Sequence, residues 1–83
     1  GTLSLLEKID AEMFEAIIPE TSPVVGLSMA ELGLPKGILV ALIRRGNEVF
    51  VPKGETTLQG NDLVTLFASS ELMPIAVEKL GVK

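Results

Sequence analysis

The sequence predicts a small α+β domain, built as a mainly antiparallel sheet that contains one β-hairpin and is flanked by short helices. Three observations carry this expectation. The apolar run Ile38 to Arg45 is followed by Gly46-Asn47 and a second branched run, which is the pattern of a strand, a two-residue turn and a returning strand. Two further stretches rich in branched residues, Met13 to Pro19 and Leu63 to Ala68, stand far from the hairpin and read as its sheet neighbours. Near the C-terminus, Leu72, Ile75, Ala76 and Leu80 recur with helical spacing.

Taken in order, Ser4-Leu5-Leu6-Glu7 has the spacing of a capping box, and Leu5, Ile9 and Met13 form a stripe with a period of four, so a short helix is expected over Ser4 to Asp10. Met13 to Pro19 is the first predicted strand, closed by its proline. Ser28 and Glu31 repeat the capping-box spacing ahead of a short helix over Met29 to Leu32, which Gly33 ends and Pro35 keeps from resuming. Ile38 to Arg45 is the main strand. The Gly46-Asn47 turn sets Arg45 opposite Glu48, Ile43 opposite Phe50 and Leu42 opposite Val51. Pro52 ends the return strand, and Lys53 to Asp62 is a polar loop with a Gly60-Asn61 turn. After the strand Leu63 to Ala68, Ser69 or Ser70 opens a helix that Gly81 stops. Pro74 lies deep for a helix opening at Glu71, so the regular part is expected to start later.

Strict alternation along the main strand places Ile38, Val40 and Leu42 on one face and Leu39, Ala41 and Ile43 on the other. Both faces are then apolar, and a domain of 83 residues has few spare elements to cover the second. A chain this short buries only about 60–65% of its unfolded surface. With 47% hydrophobic residues and a mean hydropathy of +0.47, apolar surface is left over for an interface. A symmetric homodimer in which the second subunit covers part of the sheet is therefore expected, with Leu5, Ile9, Met13, Leu39, Ala41 and Ile43 at the contact; the alternative is that the domain wraps both faces itself. Residues 1–10 read as a linker or dimer helix, and residues 11–83 as the domain proper.

Composition excludes several function classes. The chain has no cysteine and no histidine, which removes disulfides, thiol nucleophiles, the usual zinc sites and the commonest general base. No nucleophile, base and oxyanion hole can be assembled from what is left, so no catalytic residue is assigned and an enzyme is not expected. A net charge of −4, seven basic residues and three aromatics argue against nucleic acid as a partner. No apolar run reaches the ~20 residues that cross a bilayer, so direct insertion is not expected, and the first residues lack a signal-peptide layout. The acids Glu7, Asp10, Glu12 and Glu15 cluster in sequence but follow no calcium-loop spacing, so they read as a solvated face and no metal site is assigned.

Several short motifs recur in a telling order: Ser22-Pro23, Val24 to Gly26, Glu31-Leu32, Leu34-Pro35, Ile43-Arg44-Arg45-Gly46, Pro52, Thr56-Thr57-Leu58 and Asp62-Leu63. In that order and spacing the chain resembles the RCK C-terminal, or TrkA-C, domain family from about Asp10 onward. One departure is visible: the family has Gly before the Asp, and here Asn61 stands there with Gly60 one residue earlier. Asn tolerates the left-handed conformation, so the turn survives the exchange.

The resemblance implies a cytosolic regulatory domain at the inner face of the cell membrane in a prokaryotic ion-transport system, with potassium uptake or channel gating as the first choice. The implied partners are a second copy and a membrane-embedded channel or transporter, in the same polypeptide or a separate one. It also implies a small regulatory ligand, a nucleotide or cyclic di-AMP, between subunits. Relatives that bind cyclic di-AMP carry Arg, an aromatic and Asn between the short helix and the main strand, where this chain has Leu34-Pro35-Lys36-Gly37. Candidate ligand-binding residues are Lys36, Ile38, Arg44, Asn47, Phe50 and Pro52, with Lys36 and Arg44 meeting an anion and Phe50 offering a ring. The alternative for these residues is a plain hairpin with a solvated Arg tip and a core Phe. The alternative for the whole chain is a structural dimerisation domain of an antiporter, chloride channel or permease, without a ligand.

Overall fold

The computed structural model describes residues 11–82. Its elements are β1 (Ala11–Ile17), a 3₁₀ helix (Ala30–Leu32), β2 (Ile38–Arg45), β3 (Glu48–Phe50), β4 (Leu63–Ser69) and α1 (Met73–Leu80). The four strands form one antiparallel sheet in the spatial order β1-β4-β2-β3. The helix expected over Ser4 to Asp10, with Leu5 and Ile9, lies outside the described residues.

The central strand β4 follows period-two alternation: Val64, Leu66 and Ala68 are buried, while Leu63, Thr65 and Phe67 on the other side are only half-buried. One sheet face therefore carries the core. Ala16, Ile43, Val64 and Leu66 from the strands meet Ile18, Val24 and Leu58 from the connections, Leu32 from the 3₁₀ helix, and Ala76 and Leu80 from α1. Pro74 sits in the first turn of α1, where a missing N–H costs nothing, so the helix begins at Met73 and not at the serines. This start turns Met73, Ala76 and Leu80 inward and leaves Ile75 exposed, against the expected stripe. Gly81 closes α1 in the left-handed conformation, and Ser22 Oγ donates to the Leu80 carbonyl at 2.6 Å.

The hairpin register is the expected one, Arg45 opposite Glu48 and Ile43 opposite Phe50, but pairing stops at Phe50, so Leu42 and Val51 are not ladder partners. Of the two turn residues only Gly46 takes positive φ (62°), the II′ arrangement.

The main correction lies in β2. Its register with β4 shifts between Val40 and Leu42, so Ala41 is an extra residue opposite no partner. A bulge of this kind exchanges the faces beyond it. Leu42 joins Leu39 on the open face, and Ile43 turns into the core, where it is 0% exposed. Ile43 is thus unavailable for the subunit contact expected of it.

Candidate functional site

The short β3 creates the site. Beyond Phe50 the chain leaves the sheet at Val51-Pro52, so the first half of β2 has no strand beside it on that side. A cleft of about 340 Å³ takes the place of the missing strand. Ile38, Leu39 and Val40 form one wall, Pro52, Lys53 and Gly54 the facing one, and the 3₁₀ helix with Met29 and Leu34 closes the end.

The facing wall is fastened by local hydrogen bonds. Ala30 N–H donates to the Gly54 carbonyl at 3.1 Å and Met29 N–H to the Thr56 carbonyl at 2.9 Å. The 3₁₀ helix is held by the expected capping box: Ser28 N–H donates to Glu31 Oε1 at 2.9 Å, and Glu31 N–H to Ser28 Oγ at 3.2 Å. Hydrogen bonding from Ser28, backbone first, holds the Glu31 carboxyl below its ordinary range. Gly33 ends this helix at φ 64°, as its sequence position requires.

At the far end of β2 from the cleft lies an ion pair that spacing alone did not single out. Arg45 donates from Nε to Asp62 Oδ1 at 2.9 Å and from Nη2 to Asp62 Oδ2 at 2.8 Å, a two-toothed grip. Nη2 also donates to the Thr57 carbonyl at 2.9 Å, and the guanidinium lies 5.2 Å from the Phe50 ring centre. Asp62 accepts a further bond from Gln59 N–H at 2.9 Å, the in-loop backbone contact its turn position suggests. Asp62 is 1% exposed, and burial alone pushes its carboxyl pKa up. The Arg45 fork, the Gln59 N–H and the Arg45 charge outweigh burial and hold it below the ordinary carboxylate range. One arginine thus ties the hairpin tip, the 57–62 loop and the start of β4 together. The only advance signal was Arg-Gly in the hairpin followed by Asp62 after a turn.

Of the expected ligand residues, Ile38 and Pro52 line the cleft. Lys36, Arg44 and Asn47 are exposed and do not line it. Phe50 is half-buried, packs against the core and has the Arg45 guanidinium over its ring, so it is not an open stacking platform. Lys53, Met29 and Leu34 line the cleft and were not anticipated, because the lining depends on where β3 ends. A second hollow of about 690 Å³ beside β1 is lined by Phe14, Ile17, Thr21, Leu63 and Val82, with Glu15 its one charged residue among those described. Among the acids read as a cluster, Glu12 and Glu15 project from opposite faces of β1, since they pair with Ala68 and Thr65. Among the described residues no group of three His, Cys, Asp or Glu could hold a metal ion, and no helix is long and apolar enough to cross a membrane.

Residues 13–80 match the family model of the TrkA-C domain. The Trk system potassium uptake protein TrkA of Azorhizobium caulinodans is 38% identical over 71 residues, covering 86% of this chain and 15% of that protein. A TrkA homolog of Archaeoglobus fulgidus is 30% identical over 66 residues, covering 80% of this chain and 15% of that protein. The chain therefore spans about 15% of the length of these curated relatives. Among solved structures, the RCK_C domain dimer of S. agalactiae BusR in complex with c-di-AMP superposes with a TM-score of 0.74 at 18% identity, covering 86% of this chain and 97% of that one. The GsuK channel bound to NAD gives 0.72 at 19% identity, covering 96% of this chain and 15% of that one. At such identities the likeness is one of fold. The order of elements, the sheet topology and the match over residues 13–80 agree: the chain belongs to the TrkA-C domain family.

Proposed function

We propose that this chain is the ligand-sensing, dimerising regulatory domain of an ion-transport system, with potassium uptake as its setting, and that it acts at the cytosolic face of the membrane on a channel or transporter partner. Family membership supports the regulatory role, and the names of the potassium-uptake relatives support the setting. The observation that carries the sensing role is the cleft beside β2, open to solvent and walled by Ile38, Leu39, Pro52 and Lys53. The BusR dimer is described with c-di-AMP and the GsuK channel with NAD, so ligands of the nucleotide class are the first to try. A ligand there spans the 3₁₀ helix and the 52–54 wall. If it fits one arrangement of two copies better than another, it shifts their balance by that difference in affinity. The role is binding, and no residue is assigned to catalysis.

A second reading has its own observation. Among the described residues Lys53 is the only charged one lining the cleft, a thin complement for a phosphate-rich ligand. On that reading the domain is a structural coupler for an antiporter, chloride channel or permease, without a ligand.

A thermal-shift screen against cyclic di-AMP, ATP, ADP, NAD(H) and Ca²⁺, with solution mass recorded alongside, separates the two. Sensing requires that one ligand stabilise a dimer and that Ala30→Trp, on the exposed rim of the cleft, remove the shift. At one hundred times its dissociation constant a ligand adds about 2.7 kcal/mol. A folded dimer that no member of the panel stabilises favours the structural coupler.

A further inference from the structure

The sheet face opposite the core is unusual in a chain of this size. The ladder sets its side chains in three rows across the strands: Met13, Phe67 and Leu39; then Glu15, Thr65 and Leu42; then Ile17, Leu63, Arg44 and Val49. Met13 (55% exposed), Ile17 (61%), Leu39 (59%) and Val49 (59%) keep most of their surface in solvent. Isolated exposed apolar residues are ordinary, but a face on which they form whole rows marks an interaction surface.

Two charges interrupt the apolar field, and they are of opposite sign. Glu15 and Arg44 are the only charged residues in the three rows. They stand two strands and one row apart, about 12 Å from the sheet spacings, so they do not neutralise each other within one chain. The one ion pair among the described residues is Arg45 with Asp62. Any partner that covers the face must answer a carboxylate at one place and a guanidinium at another, because a buried unpaired charge is costly. A second copy of the same face carries both answers.

We propose that two copies of this chain pack through this face in a single register, with the Glu15 carboxylate of each copy against the Arg44 guanidinium of the other. This rests on the dimeric reading above and goes further by fixing the surface, the axis and the charge pair. With strands about 4.8 Å apart and same-face residues about 6.8 Å apart, one twofold axis exchanges the two charged positions. It crosses β4 between Leu63 and Thr65 and runs about 35° from the strand direction. Nothing else about the axis is free, and the remaining contacts follow from it. Met13 falls over Val49 of the second copy, Ile17 falls over Leu63 of the second copy, and Leu39 comes close to its own counterpart. In these three contacts apolar groups meet apolar groups although only the charges set the axis, while Leu42 falls over the half-buried Thr65 of the second copy. Leu39 also lines the cleft, so the clefts of the two copies lie at the edge of the contact, where a ligand in one senses the position of the other.

The test is a charge swap. Glu15→Arg and Arg44→Glu are prepared singly and together, their folding is checked by circular dichroism, and the dimer dissociation constant is measured by sedimentation equilibrium. Both residues are exposed, so neither change reaches the core. Each single reversal is expected to weaken the dimer about tenfold or more, and the double variant to recover most of that loss. A dimer that ignores the single reversals, or that the double variant fails to restore, overturns the register while leaving the dimeric reading intact. A wild-type chain that stays monomeric throughout overturns both.

Discussion

Replacing Arg45 with Met tests whether the ion pair at the hairpin tip holds the domain together. Methionine keeps an apolar stem and removes the guanidinium that lies over the Phe50 ring. Asp62, 1% exposed, then keeps only the Gln59 N–H out of three donated bonds. Stripping one partner from a buried pair costs about 3–5 kcal/mol where both groups are dry. Arg45 is 30% exposed in its side chain, so water already screens part of the attraction, and a loss of about 2–3 kcal/mol is the reasonable figure. A domain of this size has only ~4–12 kcal/mol in total, so the midpoint of thermal unfolding should fall by about 10–20 °C. Urea unfolding monitored by circular dichroism gives the difference directly, provided the slope is unchanged. The pH dependence adds a signature. Because the folded-state pKa of Asp62 is lowered, its stabilisation is complete above the unfolded value near 3.9 and is lost as pH falls through the lower folded value. The gap between wild type and variant is therefore full at neutral pH and closes below about pH 4. A loss under about 0.5 kcal/mol at pH 7 would refute the reasoning, because a pair worth so little behaves as an ordinary surface contact.

Three further outcomes follow from the packing. Leu66→Ala, at a fully buried position of β4, should cost about 2–5 kcal/mol in urea unfolding. Ser22→Ala removes the 2.6 Å bond to the Leu80 carbonyl and should cost about 1–2 kcal/mol, with amide exchange at the end of α1 accelerating more than in β4. Gly81→Ala should destabilise by more than about 1 kcal/mol, since φ is +70° and the new Cβ would stand 2.9 Å from Ser22 Oγ; an unchanged midpoint would show that the turn can relax.

The parts legible in the sequence were those decided by neighbours in the chain. The Gly46-Asn47 turn fixes the hairpin register over a few residues, Ser28 and Glu31 meet across one turn, and Gly81 and Asn61 take left-handed conformations (φ 70° and 72°) that their positions imply. What was not legible depends on distant pairing. Ala41 carries no local mark of a bulge, because in a run such as Val40-Ala41-Leu42 either neighbour could be the unpaired one, and only the match to β4 decides. That choice moved Ile43 from the expected interface into the core. Arg44 and Arg45 look alike in sequence; the ladder leaves Arg44 on the open face and lets Arg45 reach Asp62, 17 residues away. The cleft was half legible, since Ile38 and Pro52 were expected, whereas Lys53 and Met29 became walls only because β3 stops at Phe50.

The proposed regulatory role is tested most directly by potassium uptake in cells that carry the protein with Ala30→Trp, compared with wild type at matched abundance. Filling the cleft rim leaves the core and the open sheet face untouched, so the domain should remain folded and dimeric. The expected result is transport that no longer responds to the ligand found in the thermal-shift screen while its basal rate persists. Uptake that keeps its full response to that ligand would contradict a sensing role for the cleft.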